Sequence, residues 1–337
     1  MSRTTPARPV DVEALFPELR HHTAPATRLH PRPGDPKPSD SSVGGMLSWP
    51  SGEPWPTCTA VHRKSRGELV ANIRQYRRLL SEIWSRRDSA GNPVGPSADE
   101  RLELDALTKR GKYAPEIADD APIPLLPVLQ LFRSDVPDLE FPEGKDLLQV
   151  LWCPFDAHGE NRAIDVRLVW RDSAKVVDPL PEPPRLTVVG NKGYLPEPCL
   201  LQPERVTEHQ DVELLPVSLQ EAIGAWEEEQ EEADENAPGY QFDLSVAPGW
   251  KAGGFASWHL TGPAPMVCEC GAPMRLLVTA ASREWDNGNL SWRPVEEADD
   301  TTRGLNIPTR VVLGRDGSLR VFVCTVDAEH PYQVNEQ

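Results

Sequence analysis

The sequence predicts a β-rich fold with peripheral helices, built as two related sheet halves in one chain of 337 residues. Three observations predict it. Proline is abundant, at 36 residues. It lacks a backbone N–H and fixes φ, so it keeps out of helix interiors and central strands. The clearest apolar runs are short and bounded by Pro, Gly and Asp, as strands between ordered turns are. A fixed order of Gly-Gly, Trp, Cys and a strand ending in Cys occurs twice. The ten tryptophans argue against a largely disordered chain. The length calls for one large or two medium domains.

Taken in order, Asp11 is placed to cap a short helix carrying Val12, Leu15, Phe16 and Leu19. Residues 23–42 are polar and rich in Pro, Ser and Thr, an extended lead-in to Gly44-Gly45. Leu69, Ile73, Tyr76, Leu80 and Ile83 align on one stripe and predict a helix over 67–85. Ser97 with Glu100 makes a capping box for a second helix through Leu107, ending near Gly111. Together they predict a helical hairpin over 63–112, inserted beside the sheet. Strands are predicted at 125–132, 147–153, 164–170, 274–280 and 319–324, with a weaker one at 185–189. Gly314-Arg315-Asp316-Gly317 predicts a hairpin between 311–313 and 319–324. Residues 219–235 predict a helix with an acidic end, which opposes the macrodipole and should fray.

The repeat organises these elements. The first half reads Gly44-Gly45, Trp49, a proline-rich link, Cys58, and later a strand ending at Cys153. The second reads Gly253-Gly254, Trp258, another proline-rich link, Cys268, and a strand ending at Cys324. Two pseudo-symmetric sheet halves follow, over 43–200 and 241–337. Residues 1–42 form the lead-in and 201–240 a connecting segment with the acidic helix.

The net charge of −17 disfavours nucleic acid and favours a basic protein partner. Seven of the nine residues at 227–235 are acidic, whereas 63–87 is rich in arginine. No signal-peptide core and no run of about 20 apolar residues is present, so a cytoplasmic protein with no membrane partner is expected. In a reducing compartment the six cysteines should be thiols or metal ligands.

Two Cys/His sets have the paired spacing that metal ligation uses. Cys58 and His62 make a C-x3-H pair, and Cys153 and His158 a C-x4-H pair. Cys268 and Cys270 share a tight turn, Cys324 ends a strand, and Asp327 or His330 supplies the fourth position. Structural zinc is the candidate cofactor for both sets, and no other cofactor is predicted. Cys199 lies outside both and reads as packing. The sequence has no G-x-S-x-G elbow, H-E-x-x-H helix, P-loop or G-x-G-x-x-G, and no carboxylate pair stands out as acid and base. No catalytic residue is therefore assigned, and a non-enzymatic role is the leading expectation.

Several words resemble the YwqG-like family of bacterial proteins, especially its actinobacterial branch. They are Arg28-Leu29-His30-Pro31-Arg32-Pro33-Gly34, Ser42-Val43-Gly44-Gly45, Trp49-Pro50, and Pro54-Trp55-Pro56 with Cys58. Pro127-Val128-Leu129-Gln130-Leu131, Phe141-Pro142-Glu143-Gly144 and Asp146 through Pro154 follow, the stretch from Leu147 being the most specific. Gly253-Gly254, Cys268-Glu269-Cys270-Gly271 with Met274, and Phe322-Val323-Cys324 match in the second half. The matches span roughly 10–326. The resemblance implies an α+β fold, mostly antiparallel β and internally duplicated, with no established enzyme activity. The family is similar to programmed-cell-death-two proteins, dedicated chaperones of a ribosomal protein, and some relatives look like immunity proteins. It also implies a cysteine three residues after Cys324, where this chain has Asp327. A protein-binding module for a basic client, chaperone-like or immunity-type, is the leading functional expectation. A metal-dependent hydrolase, or a structural duplicate with a small-molecule pocket between the halves, is the alternative.

Overall fold

The computed structural model describes residues 2–110, 116–156, 158, 163–258, 261–286 and 288–337. The strands are β1 Thr23–Arg28, β2 Arg32–Pro33, β3 Ser42–Val43, β4 Thr57–Cys58, β5 Glu68–Leu69, β6 Ile123–Pro124, β7 Leu126–Phe132 and β8 Leu147–Trp152. They continue as β9 Val166–Arg171, β10 Val188–Val189, β11 Cys199–Leu200, β12 Glu204–His209, β13 Lys251–Gly253, β14 Met274–Ala281, β15 Ser318–Cys324 and β16 Gln333–Glu336. The α-helices are α1 Val12–Leu15, α2 Val70–Ser85, α3 Ala98–Arg110 and α4 Val217–Ala233.

Two six-stranded antiparallel sheets carry the fold, in the orders β2-β11-β3-β7-β8-β9 and β12-β1-β13-β14-β15-β16. The α+β class and the antiparallel sheets agree with expectation. The register exposes the repeat. A bulge falls at Val128 in β7 and at Leu277 in β14. Superposing the bulges pairs Gln130 with Thr279, Gln149 with Arg320 and Ser42 with Lys251. Counting on, it also pairs Cys153 with Cys324. Gly44 and Gly253 then coincide, with φ of 64° and 69°, a region where a side chain is strained. The next glycine in the second half is needed for space as well: a Cβ on Gly254 would collide with Glu208 Oε2.

The halves exchange arms. Strand β1, which opens the first repeat, lies inside the second sheet, and β11, which by the matching strand order opens the second repeat, lies beside β3 in the first. Each arm hops sheets at a matching word, Leu29-His30-Pro31 after β1 and Leu201-Gln202-Pro203 after β11. The segments 1–42 and 201–240 are thus more than a lead-in and a connector. Pro25 is tolerated because β13 pairs only with Ala26–Arg28, leaving Pro25 a ladder partner on β12 alone.

The inner sheet faces share one core, with Leu129, Leu131, Leu148, Val150 and Trp152 meeting Leu277, Val278, Leu319, Val321 and Val323. The outer faces are covered by the segments that follow each Gly-Gly. In the first half Leu47 and Trp49 pack on Leu151 and Cys153. In the second, Ala256 and Trp258 pack on Leu276 and Phe322.

The helices follow their sequence signals. Asp11 accepts from Ala14 N–H at 3.1 Å to cap α1. Ser97 and Glu100 exchange the two bonds of a capping box at α3; its end near Gly111 lies outside the described residues. Two expectations differ. Helix α2 does not sit beside the core: Val70 and Ile73 belong to it. Residues 311–313 form no hairpin strand, because β15 already pairs with β14 and β16. Instead Val312 N–H reaches Gly193 O of the first half at 2.9 Å, and Val311 and Leu313 enter the shared core.

Candidate metal centres

The outer-face segments return to the sheet ends, and there the cysteines and histidines converge. In the first half Cys58 closes β4, His62 follows in a loop held by its N–H on Asp119 O, and Cys153 leaves β8. His158 sits on a bridge with Ala163. Cys58, His62, Cys153 and His158 bring one ligand atom each within 4.8 Å of one another. In the second half a turn at 268–271, closed by Gly271 N–H on Cys268 O, presents Cys268 and Cys270 to Cys324 at the end of β15. A second turn, His330 N–H on Asp327 O, brings in His330. Cys268, Cys270, Cys324 and His330 meet within the same limit.

Four of the donor separations fit the edges of a ligand tetrahedron. With metal–sulfur near 2.3 Å and metal–nitrogen near 2.0–2.1 Å, a tetrahedral zinc sphere has S···S edges of about 3.8 Å and S···N edges of about 3.6 Å. The structure has Cys58 Sγ and Cys153 Sγ at 3.4 and 3.5 Å from His62 Nε2. Cys268 Sγ lies 3.7 Å from His330 Nδ1, and Cys270 Sγ 3.6 Å from Cys324 Sγ.

The electrostatics suit a metal differently in each half. In the first centre burial pushes the Cys153 thiol up, so a bare thiolate there is costly. Burial, and then His158, pushes His62 down and keeps it neutral, the ligating form. His62 stacks on Phe155 at 4.9 Å, which fixes its ring plane. His158 Nε2 is buried and has no hydrogen-bond partner among the described residues. In the second centre the Asp327 N–H, with the Val326 N–H at 3.4 Å, lowers Cys324 to about 6, which favours its thiolate form. Contact with Cys324 raises His330 in turn.

The structure therefore brings together eight of the nine candidate ligands. Asp327 is the exception: it stands outside the donor set, with its carboxylate 3.8 Å from His330 Nε2, where an outer partner orients a ligating histidine. His330 fills the position that Asp327 would have taken. Cys199 is fully buried, with Sγ toward Pro308 O, as packing predicts. Sequence spacing alone did not flag Phe155, two residues beyond Cys153; an aromatic at that distance from a candidate ligand was the available signal. Among known proteins, no family model matches the chain and no curated protein matches it.

Proposed function

We propose that the chain is a non-catalytic protein-binding module whose halves are each clasped by a structural zinc ion. The observation that carries the zinc reading is the convergence of four soft donors at the same place in both halves. Each centre would tie the segment crossing an outer face to the end of the strand beneath it. In the first half that closes the chain from Gly45 to Cys58 over the sheet. Four protein donors complete a tetrahedral shell, which is the arrangement of a structural site; a hydrolytic site keeps one position open. That disfavours the metal-dependent hydrolase.

The protein-binding part rests on the YwqG-like resemblance and on charge. Glu228, Glu229, Glu231, Glu232, Asp234 and Glu235 are all exposed at the end of α4, in a chain of net charge −17. Such a surface steers a basic client more than it tightens it. One observation favours a second reading, a small-molecule binder. A cavity of about 320 Å³ lies between α2 of the first half and 307–312 of the second, walled by Ile73, Tyr76, Leu80 and Val311.

Elemental analysis of the purified protein is expected to give about two zinc ions per chain, with Cys58→Ser and Cys268→Ser each removing one. A structural zinc can supply on the order of 10 kcal/mol of apparent folding energy, so each loss should lower Tm markedly. Metal-free protein whose Tm ignores a chelator overturns the zinc reading. Affinity capture from native lysate with the zinc-loaded chain tests the other part. A stoichiometric basic client is expected; no stoichiometric client overturns it.

A further inference from the structure

One row of side chains runs across the outer face of the second sheet. Lys251, Thr279 and Arg320 stand directly opposite one another on β13, β14 and β15, so all three point the same way. Lys251 is satisfied: its ammonium bonds both oxygens of Glu208 at 2.6 and 2.8 Å and Phe255 O at 2.7 Å. Arg320 is not. It is 1 % exposed, lies over the Trp258 ring at 4.9 Å, and spends only Nη1, on Ser257 O. Among the described residues Nε and Nη2 have no partner, and neither does Thr279 Oγ1. The carboxylate acting on Arg320 through space is Asp211. Its oxygens are taken by the Trp258 and Glu213 N–H groups and the Gln241 amide.

The first sheet shows what a closed row looks like. At the matching positions Gln130 bonds Pro38 O, Asp40 O and Ser48 N–H, and Gln149 bonds Gln130 and Ser48 O and accepts from Arg171. The second sheet replaces that self-satisfied amide pair with a buried guanidinium and a hydroxyl. Both wall an open cavity of about 140 Å³, with Phe242 and Trp285 among the residues lining it.

We propose that this cavity is a binding site for the carboxylate of a small organic acid. Nε and Nη2 form the side-on edge of the guanidinium, the fork that takes two carboxylate oxygens in parallel. Thr279 donates a third bond. Asp286 and Asp316 also line the cavity; Arg283, which lines it too, pairs with Asp316, and the Asp286 carboxylate is left to disfavour a dianion such as phosphate and make a monoanion the fitting charge. At roughly 30 Å³ per water the space holds about four or five waters, or a carboxylate with a short chain lying toward the aromatic side chains.

The test uses the full-length protein labelled at arginine Nε, with sodium butyrate as probe against sodium chloride and sodium phosphate at matched ionic strength. The Arg320 Nε–H signal is identified by its loss in Arg320→Met, which removes an unpaired buried charge and so is expected to fold. In the unmodified protein butyrate should shift that signal saturably and raise Tm. Neither chloride nor phosphate should do so. Thr279→Val, which keeps Arg320, should weaken butyrate binding about tenfold, the worth of one hydrogen bond to a charged group. No saturable shift with butyrate, meaning that water alone fills the cavity, overturns the proposal. So does an equal shift with phosphate, which would make the site a general anion trap. Should Arg320→Met fail to fold, the Thr279→Val comparison and the butyrate-dependent Tm of the unmodified protein still decide it.

Discussion

At the scale of single residues, the junction between the exchanged arms buries opposed charges. His30, with φ at 43° and no exposure, bonds Glu204 at 3.1 Å and faces Glu284 at 3.9 Å. Burial pushes Glu284 up to about 7 and His30 down to about 4, from ordinary values of 4.5 and 6.5. The signs are opposite. The raised Glu284 contributes stability that is full below 4.5 and lost as pH rises through about 7. The depressed His30 contributes stability that is full above 6.5 and lost as pH falls through about 4. Between 4.5 and 6.5 the two slopes offset, so Tm should be nearly level there and decline on either side. Glu284→Gln keeps an acceptor for the Trp250 N–H, at 3.1 Å in the native protein, but removes the titration. The variant keeps only the His30 linkage, so its stability is expected to rise from pH 4.5 to 6.5 where the native protein is level, and to exceed the native protein by up to about 3 kcal/mol once pH has passed about 7. Denaturant titrations at several pH values check this; an unchanged pH profile would place the linkage elsewhere. The Lys251–Glu208 pair behaves differently, because every partner is satisfied. Glu208→Ala strands the ammonium and should cost about 3–5 kcal/mol by the same titrations.

At the scale of elements, α2 is held by one side chain as much as by its apolar stripe. Arg77 reaches Leu195 O, Lys192 O, Arg310 O and Glu197, and so ties the helix to both halves. Arg77→Met keeps the stem and drops these bonds, and should cost about 2–4 kcal/mol, read from urea unfolding. A loss below about 0.5 kcal/mol, the level of an exposed pair, would mean that the stripe alone carries the helix. The stripe was legible because Ile73, Tyr76 and Ile83 recur at helical spacing, and Ser97 with Glu100 announced α3. What it faced was not legible: arginines on the polar flank read as solvated until the carbonyls of 192–195 and 310 are brought to them. The turn at 314–317 failed as a hairpin signal because strand choice is decided by partners. Val311 and Leu313 gain more in the shared core than they would at a sheet already closed by β16. The cysteines of the two Cys/His groups were legible because their spacing is local, whereas the choice of His330 over Asp327 depends on a turn. Arg320 was invisible in Leu319-Arg320-Val321, where alternation makes an arginine look like a surface residue.

At the scale of the whole molecule, arm exchange makes the two halves one cooperative unit. The second sheet takes β1 from residues 23–28 and the first takes β11 from 199–200, so a cut between the halves leaves at least one sheet without an interior strand. The inner faces would also be bared, because Leu129, Val150 and Trp152 share one buried core with Val278, Val321 and Val323. Exposing apolar surface costs about 25 cal/mol per Å², and a domain's net stability is only about 5–15 kcal/mol, so neither piece has a margin to absorb the loss. The full chain is accordingly expected to melt in a single calorimetric transition, with calorimetric and van't Hoff enthalpies in agreement. Residues 241–337 expressed alone, lacking β1 and β12, are expected to lack a cooperative transition even with zinc present. Restoring β1 and β12 by fusing 23–28 and 204–209 to that fragment should improve its order without matching the full chain, since the inner face stays bare. A fragment 241–337 that folds cooperatively alone, or two separated transitions in the full chain, would show that each half is a domain in its own right and that the exchanged arms only decorate them.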